Sequence, residues 1–184
     1  MPLIQLNEAK KHYCATAFTL TIKPHDFILI SGKNGTGKTT LLELILGFKK
    51  PDTGIIKKKT LKINYLPEVA ALPNEAVVSH YLLTLAKVKR DPFDDGFLHL
   101  FQIPLFKKIC ELSKGNRQKL AILTTLIGKP DLVVLDEPLS GLDDKSITEL
   151  LDVLKKKKEA GFSFVVSTHQ PERLQTLATQ LVIL

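Results

Sequence analysis

Apolar positions along the chain change period several times, and each change marks an element. Phe18, Leu20 and Ile22 alternate with threonines, the period of a half-buried strand, and Pro24 stops the run. With the stretch that opens at Leu3, this predicts two N-terminal strands forming a small antiparallel β part. Phe27-Ile28-Leu29-Ile30 reads as a buried strand. Leu132-Val133-Val134-Leu135 is also unbroken by polar residues, as expected of a parallel strand covered on both faces. Leu61 to Leu66, Phe162 to Ser167 and Leu181 to Leu184 complete the predicted strands. Helical spacing follows at Leu41 to Leu46, ending near Gly47, and from Asp144 to about Ala160, ending at Gly161. Another helix is predicted from Pro171 to Thr179, with proline near its start. Pro51-Asp52-Thr53-Gly54 has the composition of a turn.

From Asn74 to about Lys129 the spacing is helical, broken at Asp91-Pro92 and at Pro104. This predicts a helical lobe inserted between two strands of the sheet. Strands alternating with helices predict an α/β fold with a mostly parallel core sheet. A length of 184 residues suits a single domain over 1–184 with a real core.

The junction after Ile30 carries chemistry. Gly32-Lys33-Asn34-Gly35-Thr36-Gly37-Lys38-Thr39-Thr40 fits G-x-x-x-x-G-K-[ST], the phosphate-binding P-loop, between a predicted strand and a predicted helix. The glycines let successive backbone N–H groups wrap a polyphosphate, and the helix adds its positive N-terminal end. Lys38 is placed to reach the β- and γ-phosphates, and the Thr39 hydroxyl to hold Mg²⁺. The fold is therefore expected to be that of a P-loop NTPase. A second polar junction closes the run at Leu132: Asp136-Glu137-Pro138, the Walker B pattern. Asp136 at the strand's carboxyl end can bind Mg²⁺ through water opposite Thr39. Glu137 can polarise an attacking water as general base.

Composition narrows the class only a little. Apolar content of 44% and charged content of 24% are ordinary for a globular protein, and no apolar run is long enough to span a bilayer. No basic-then-apolar leader stands at Met1-Pro2-Leu3, so secretion is not expected. Cys14 and Cys110 lack metal-ligand spacing and are expected to be free thiols. The 26 basic and 19 acidic residues give +7, with lysines clustered at 49–50, 57–59 and 155–158. Solvated helix and loop edges are the expected reading of those clusters. They lack the aromatic interleaving of a single-strand binder, and no direct nucleic-acid partner is expected.

Several stretches then carry a resemblance. Leu112-Ser113-Lys114-Gly115-Asn116-Arg117-Gln118-Lys119-Leu120 resembles the LSGGQ signature of the ATP-binding cassette (ABC) family, shortly before the Walker B strand as in that family. Ser140-Gly141-Leu142-Asp143 resembles its D-loop, and Ser167-Thr168-His169 its switch histidine. Ile63-Asn64-Tyr65-Leu66-Pro67-Glu68 falls where the family has its Q-loop, and Tyr13 where an aromatic stacks on adenine. The resemblance runs from Tyr13 to His169. It implies an ATPase with ATP and Mg²⁺ as ligands, and it adds Glu68 to the metal and catalytic residues. A serine and a glycine at a helix N-terminus suit an anion. The resemblance implies that Ser113 and Gly115 face the γ-phosphate held by a second cassette, so that ATP closes a head-to-tail homodimer. By the same resemblance, His169 senses the γ-phosphate and Asp143 couples the two sites.

Three positions depart from the family pattern: Lys114 for glycine, Asn116 for glutamine, and Glu68 for the Q-loop glutamine. A carboxylate at 68 accepts but does not donate a hydrogen bond. Some exporter-type cassettes look similar there. Family domains usually continue past the switch histidine, and this chain ends at Leu184, so a compact single-domain subunit is expected.

The function expected from the resemblance is an ATP-hydrolysing subunit that powers a separate membrane permease, in the direction of export. It would sit in the cytoplasm against the inner face of the cell membrane. The permease's coupling helix would dock near Glu68 and the stretch from Ala70 to Val78. The alternative is a soluble ABC ATPase acting on nucleic acid, the ribosome or an assembly scaffold. The charge of +7 allows it; a single cassette without a long coiled coil speaks against it. A cassette that binds ATP without hydrolysis is a third reading. Glu137 and His169 oppose it, while Lys114 and Glu68 keep it open.

Overall fold

The computed structural model describes residues 1–91 and 101–184. In chain order the strands are β1 (Ile4–Lys10), β2 (Phe18–Ile22), β3 (Phe27–Ser31), β4 (Thr53–Lys58), β5 (Ile63–Leu66), β6 (Leu132–Asp136), β7 (Phe164–Thr168) and β8 (Gln180–Ile183). The helices are α1 (Lys38–Leu46), α2 (Val78–Lys89), α3 (Lys114–Thr125), α4 (Asp144–Glu159) and the short α5 (Pro171–Leu174). The core sheet runs β5-β6-β7-β3-β8, and every neighbouring pair in it is parallel.

Apolar runs without alternation become intelligible from the two faces of this sheet. Ile28, Ile30, Leu132, Val134 and Val165 pack with Leu41, Leu42 and the antiparallel strands. Phe27, Leu29, Val133, Leu135, Phe164 and Val166 pack on the opposite side with residues of α2, α3 and α4. Each strand residue finds an apolar layer whichever way it points, so no polar partner is needed in the run. The helical segment lies between β5 and β6 in the chain, as expected. Its break at Asp91 follows Arg90, whose left-handed backbone ends α2, while Pro92 lies outside the described residues.

The antiparallel part has three strands, β2-β1-β4, where two were expected. Thr53 and Gly54, read from composition as part of a turn, open β4 instead. β4 is exposed along most of its length and so carries no apolar period to betray it. Its pairing with β1 slips between Asn7 and Lys10, a bulge at which Glu8 has φ 49°. Gly54 crosses that bulge with φ +79°, and a Cβ there would stand 2.1 Å from the Glu8 carbonyl oxygen. Asp52 ties the same corner to the β1–β2 connection: its carboxylate accepts from the Lys11 ammonium and from the His12 amide at 2.8 Å.

The helix expected from Pro171 to Thr179 stops at Leu174 and tightens into a 3₁₀ turn, Gln175–Leu177. The sheet ends it: the Thr179 amide donates to the Phe27 carbonyl at 2.8 Å, which draws the chain into β8. Lysines from the basic clusters serve the fold as well. Lys58 donates to the Ile45 and Leu46 carbonyls at the end of α1, Lys158 to the Leu177 carbonyl, and Lys157 lies over the Phe162 ring. No helix of the described residues is long and apolar enough to cross a membrane.

Gly54→Ala is predicted to destabilise the chain by at least about 2 kcal/mol, from overpacking against the Glu8 backbone and from the left-handed φ. Urea unfolding reads this as a lower midpoint at unchanged slope. An unchanged midpoint would show that the bulge relaxes freely.

Candidate nucleotide site

Three neighbouring strands deliver polar groups to one end of the sheet. β3 runs into the loop 32–37, β6 ends in Asp136, and β7 ends at Thr168, followed by His169. Parallel pairing sets them in register, with Asp136 beside Ser167 and Ser31 beside Thr168. The cavity that opens there measures about 410 Å³, lined among others by Lys38, Thr39, Glu68, Asp136, Glu137 and His169. It lies outside the carboxyl ends of the strands, where open α/β sheets bind ligands.

The loop is shaped for an anion. Gly37 caps α1 in the left-handed region, φ 105°, a conformation that lets the backbone turn from the loop into the helix. No side chain caps α1, so the amides of its first turn remain available to a ligand. Asn34, Gly35, Gly37 and Thr40 join Lys38 and Thr39 on the wall. Gly32 and Thr36 lie behind it. The Gly32 carbonyl accepts from the Lys38 ammonium at 2.8 Å, and the Thr36 hydroxyl donates to the Lys33 carbonyl at 2.9 Å.

Opposite the loop, Glu137 is buried with φ 49°. One carboxylate oxygen, Oε2, lies 2.8 Å from His169 Nδ1 and accepts from the His169 amide at 3.2 Å. The other, Oε1, stands 3.7 Å from the Lys38 ammonium. Asp136 is buried too, and burial raises its carboxyl above the ordinary value; Glu68 and Glu137 add to the rise, while Ser167 and Lys38 oppose it. Its Oδ1 accepts from the Ser167 hydroxyl, and Oδ2 makes no hydrogen bond to the protein among the described residues.

A hard cation suits this donor set. Thr39, Glu68 and Asp136 offer oxygen ligands around one cavity. Among the described residues no group of three or more His, Cys, Asp or Glu side chains is close enough to cage a metal. Few protein oxygens beside a phosphate loop fit Mg²⁺, which keeps several waters and shares its shell with substrate phosphates.

Besides Gly32 and Thr36, four more of the residues singled out from the sequence do not line the cavity. The Tyr13 hydroxyl accepts from Lys49 at 3.0 Å, with the ring half exposed on the β1–β2 connection. Ser113 caps α3 by accepting from the Asn116 amide at 3.3 Å. Gly115 packs beside the Gly141 carbonyl. Asp143 caps α4 by accepting from the Ser146 amide at 2.8 Å, and that bond holds its carboxyl below the ordinary value. Two serines were missed as site residues. Ser140 lies on the cavity wall, and Ser167 bridges to Asp136 and Glu137 from below. Both stand inside stretches already singled out, but the contacts arise from strand pairing rather than spacing.

A second groove of about 370 Å³ flanks the first, lined by Tyr65, Ala70, Leu72, Tyr81, Leu85 and Ala121 among others. Burial pushes the Tyr65 hydroxyl up to about 12, with Asp136, Glu43 and Glu68 contributing. The exposed Phe48 ring meets Tyr65 edge-on at 5.8 Å and extends the groove's aromatic rim.

Comparison with known proteins follows the same lines. The profile of the family described as ABC transporter matches residues 15–140. The chain is 38% identical over 161 residues to "Uncharacterized ABC transporter ATP-binding protein MJ1023" of Methanocaldococcus jannaschii, an alignment covering 83% of this chain and 61% of that protein. It is 32% identical over 206 residues to "Spermidine/putrescine import ATP-binding protein PotA" of Clostridioides difficile, covering 99% of this chain and 59% of that one. The chain thus spans about three-fifths of the length of these relatives. A solved "Structure of ATP binding subunit of ABC transporter" superposes with a TM-score of 0.85 over 99% of this chain and 85% of the other, and at 24% identity that likeness concerns the fold. The motifs, the strand order and the relatives agree: the chain belongs to the ABC transporter family.

Proposed function

We propose that the chain binds MgATP in the cavity at the ends of β3, β6 and β7 and hydrolyses it to drive a membrane permease. One observation carries the reading. Lys38, Thr39, Asp136, Glu137 and His169, drawn from three separate motifs, line a single cavity. Lys38 and the loop amides bind the phosphates. Thr39, Asp136 and Glu68 hold the cation, which would screen phosphate charge. Glu137 accepts a proton from a water attacking the γ-phosphorus, the terminal anhydride bond breaks, and its electron pair leaves on the β-phosphate. His169, already bonded to Glu137, orients that carboxylate and meets the γ-phosphate.

Tyr13 stacks on adenine from outside the phosphate cavity, its half-exposed ring anchored by Lys49. Ser113, Gly115 and Asp143 complete the site of a second copy in an ATP-bound head-to-tail homodimer. The exposure of Ser113 and Asp143, which cap neighbouring helix starts, supports this. The groove beside Tyr65 receives a helix of the permease, and Glu68, one residue beyond Pro67 of that groove, joins it to the nucleotide. Resemblance to exporter-type cassettes at Glu68 supports export. On this reading the chain is a nucleotide-binding domain working at the inner face of a membrane.

Lys38→Ala is predicted to abolish ATP binding in equilibrium titration; undiminished affinity would remove the loop from the site. Glu137→Gln should lower phosphate release by about 100-fold or more and leave binding intact, so that ATP shifts the variant to a dimer on size exclusion. A variant that stays monomeric at saturating ATP would exclude the self-dimer. Tyr13→Ala should weaken ATP by about 1–3 kcal/mol, the worth of one stacked base, with tripolyphosphate affinity unchanged. Equal losses for both ligands would place the effect in the loop instead.

A further inference from the structure

The two carboxylates at the end of β6 share a contact that the proposed mechanism does not use. Ser167 is fully buried in β7, opposite Asp136 in the parallel register. Its hydroxyl donates to Asp136 Oδ1 and accepts from the Glu137 amide at 3.1 Å, while its carbonyl accepts from the same amide at 3.1 Å. A serine has one hydroxyl proton. Donating it to the carboxylate leaves only acceptor capacity for Glu137, so one oxygen serves both neighbours without competition.

We infer that Ser167 is the positioning residue for both carboxylates, turning Asp136 so that Oδ2 is left open for the cation and holding Glu137 against His169. This rests on the roles proposed above for Asp136 and Glu137. Three features of the site support it. Asp136 is only 3% exposed, and with Oδ1 anchored from below, Oδ2 is its one carboxylate oxygen without a protein partner among the described residues. Glu137 sits at φ 49°, a left-handed backbone that its neighbours have to hold, and its amide is bonded by Ser167 through both hydroxyl and carbonyl. Ser167 also lies two residues before His169, whose amide and ring meet Glu137 Oε2, so one strand end fixes the carboxylate from both directions. The preceding Phe164, Val165 and Val166 are apolar and fully buried. A hydroxyl at the next buried position needs partners, and here both partners belong to the site.

The test compares Ser167→Thr with Ser167→Val, side chains of nearly equal volume that differ in the hydroxyl. Equilibrium binding of a fluorescent ATP analogue is titrated against Mg²⁺ and repeated in EDTA. Ser167→Thr should follow the wild type. Ser167→Val should raise the half-saturating Mg²⁺ concentration by about 10- to 100-fold, the usual cost of losing a group that orients a metal ligand, while affinity in EDTA stays unchanged. Identical Mg²⁺ dependence of the two variants would overturn the inference. So would a loss in Ser167→Val that is equal with and without Mg²⁺, since that marks general damage to the fold. If the larger side chains prevent folding, Ser167→Ala takes the place of Ser167→Val and is compared with the wild type under the same criteria. Asp136→Asn separates the two levels. Unchanged Mg²⁺ dependence in that variant would sink the reading of Asp136 itself; a shift there, with Ser167→Thr and Ser167→Val coinciding, would sink the role of Ser167 alone.

Discussion

The parallel pairing of β6, β7 and β3 is the constraint on which the site depends, because it converts three distant stretches of chain into one set of distances. Backbone hydrogen bonds along both sides of β7 fix the levels at which the strands end. Asp136 therefore meets Ser167, and the loop after Ser31 begins beside Thr168. A slip of one residue in either pairing would turn every following side chain to the opposite face, moving Asp136 away from the cavity and an apolar residue into it. Apolar layers on both faces exclude such a slip, since each strand is packed from above and below.

Charge explains why this end of the sheet suits a phosphate ligand together with a cation. The cavity brings the Lys38 ammonium against three carboxylates, Glu68, Asp136 and Glu137. Lys38 is held by loop carbonyls and stands close to Glu137, which limits the cost of burying both. A polyphosphate entering alone would add negative charge beside Asp136 and Glu68. A divalent cation bound with it offsets that repulsion, in keeping with the oxygen donors that remain open on the wall. The raised carboxyl of Asp136 reports the same condition from the protein's side, a buried acid with like charges near it.

Helix packing joins this charged end to the two surfaces proposed for partners. Gln118 of α3 donates to the Pro138 carbonyl at 3.2 Å, one residue beyond Glu137. Lys119, on the same helix, makes a largely buried ion pair with Glu149 of α4 at 3.2 Å. Glu68 and Tyr65 lie on one connected segment, the first on the cavity and the second in the neighbouring groove. Gln118 thus ties α3 to the stretch just after the carboxylates, and Glu68 brings the segment after β5 to the same cavity.

Much of this was legible in the residues. Unbroken apolar runs exposed the buried strands, glycine placed the loop and the end of α1, and the order of polar junctions pointed to a nucleotide site. Local chemistry suffices for such features, since period and turn composition act over a few residues. β4 was hidden because its side chains face solvent and its pairing rests on the backbone, with only Gly54 hinting at the bulge it crosses. The last helix was overestimated because Thr179 answers to the Phe27 carbonyl, a partner far away in the chain. Tyr13, Ser113, Gly115 and Asp143 came from motif resemblance, and the fold sets all four outside the cavity wall. Ser167 went unrecognised because the Asp136 contact is made across strands. The sequence by itself determined where the strands of the core sheet run, where a phosphate loop stands and which acids end β6. Only the tertiary structure decided which of those polar groups meet, because register between distant strands is a property of the assembled sheet and not of any stretch within it.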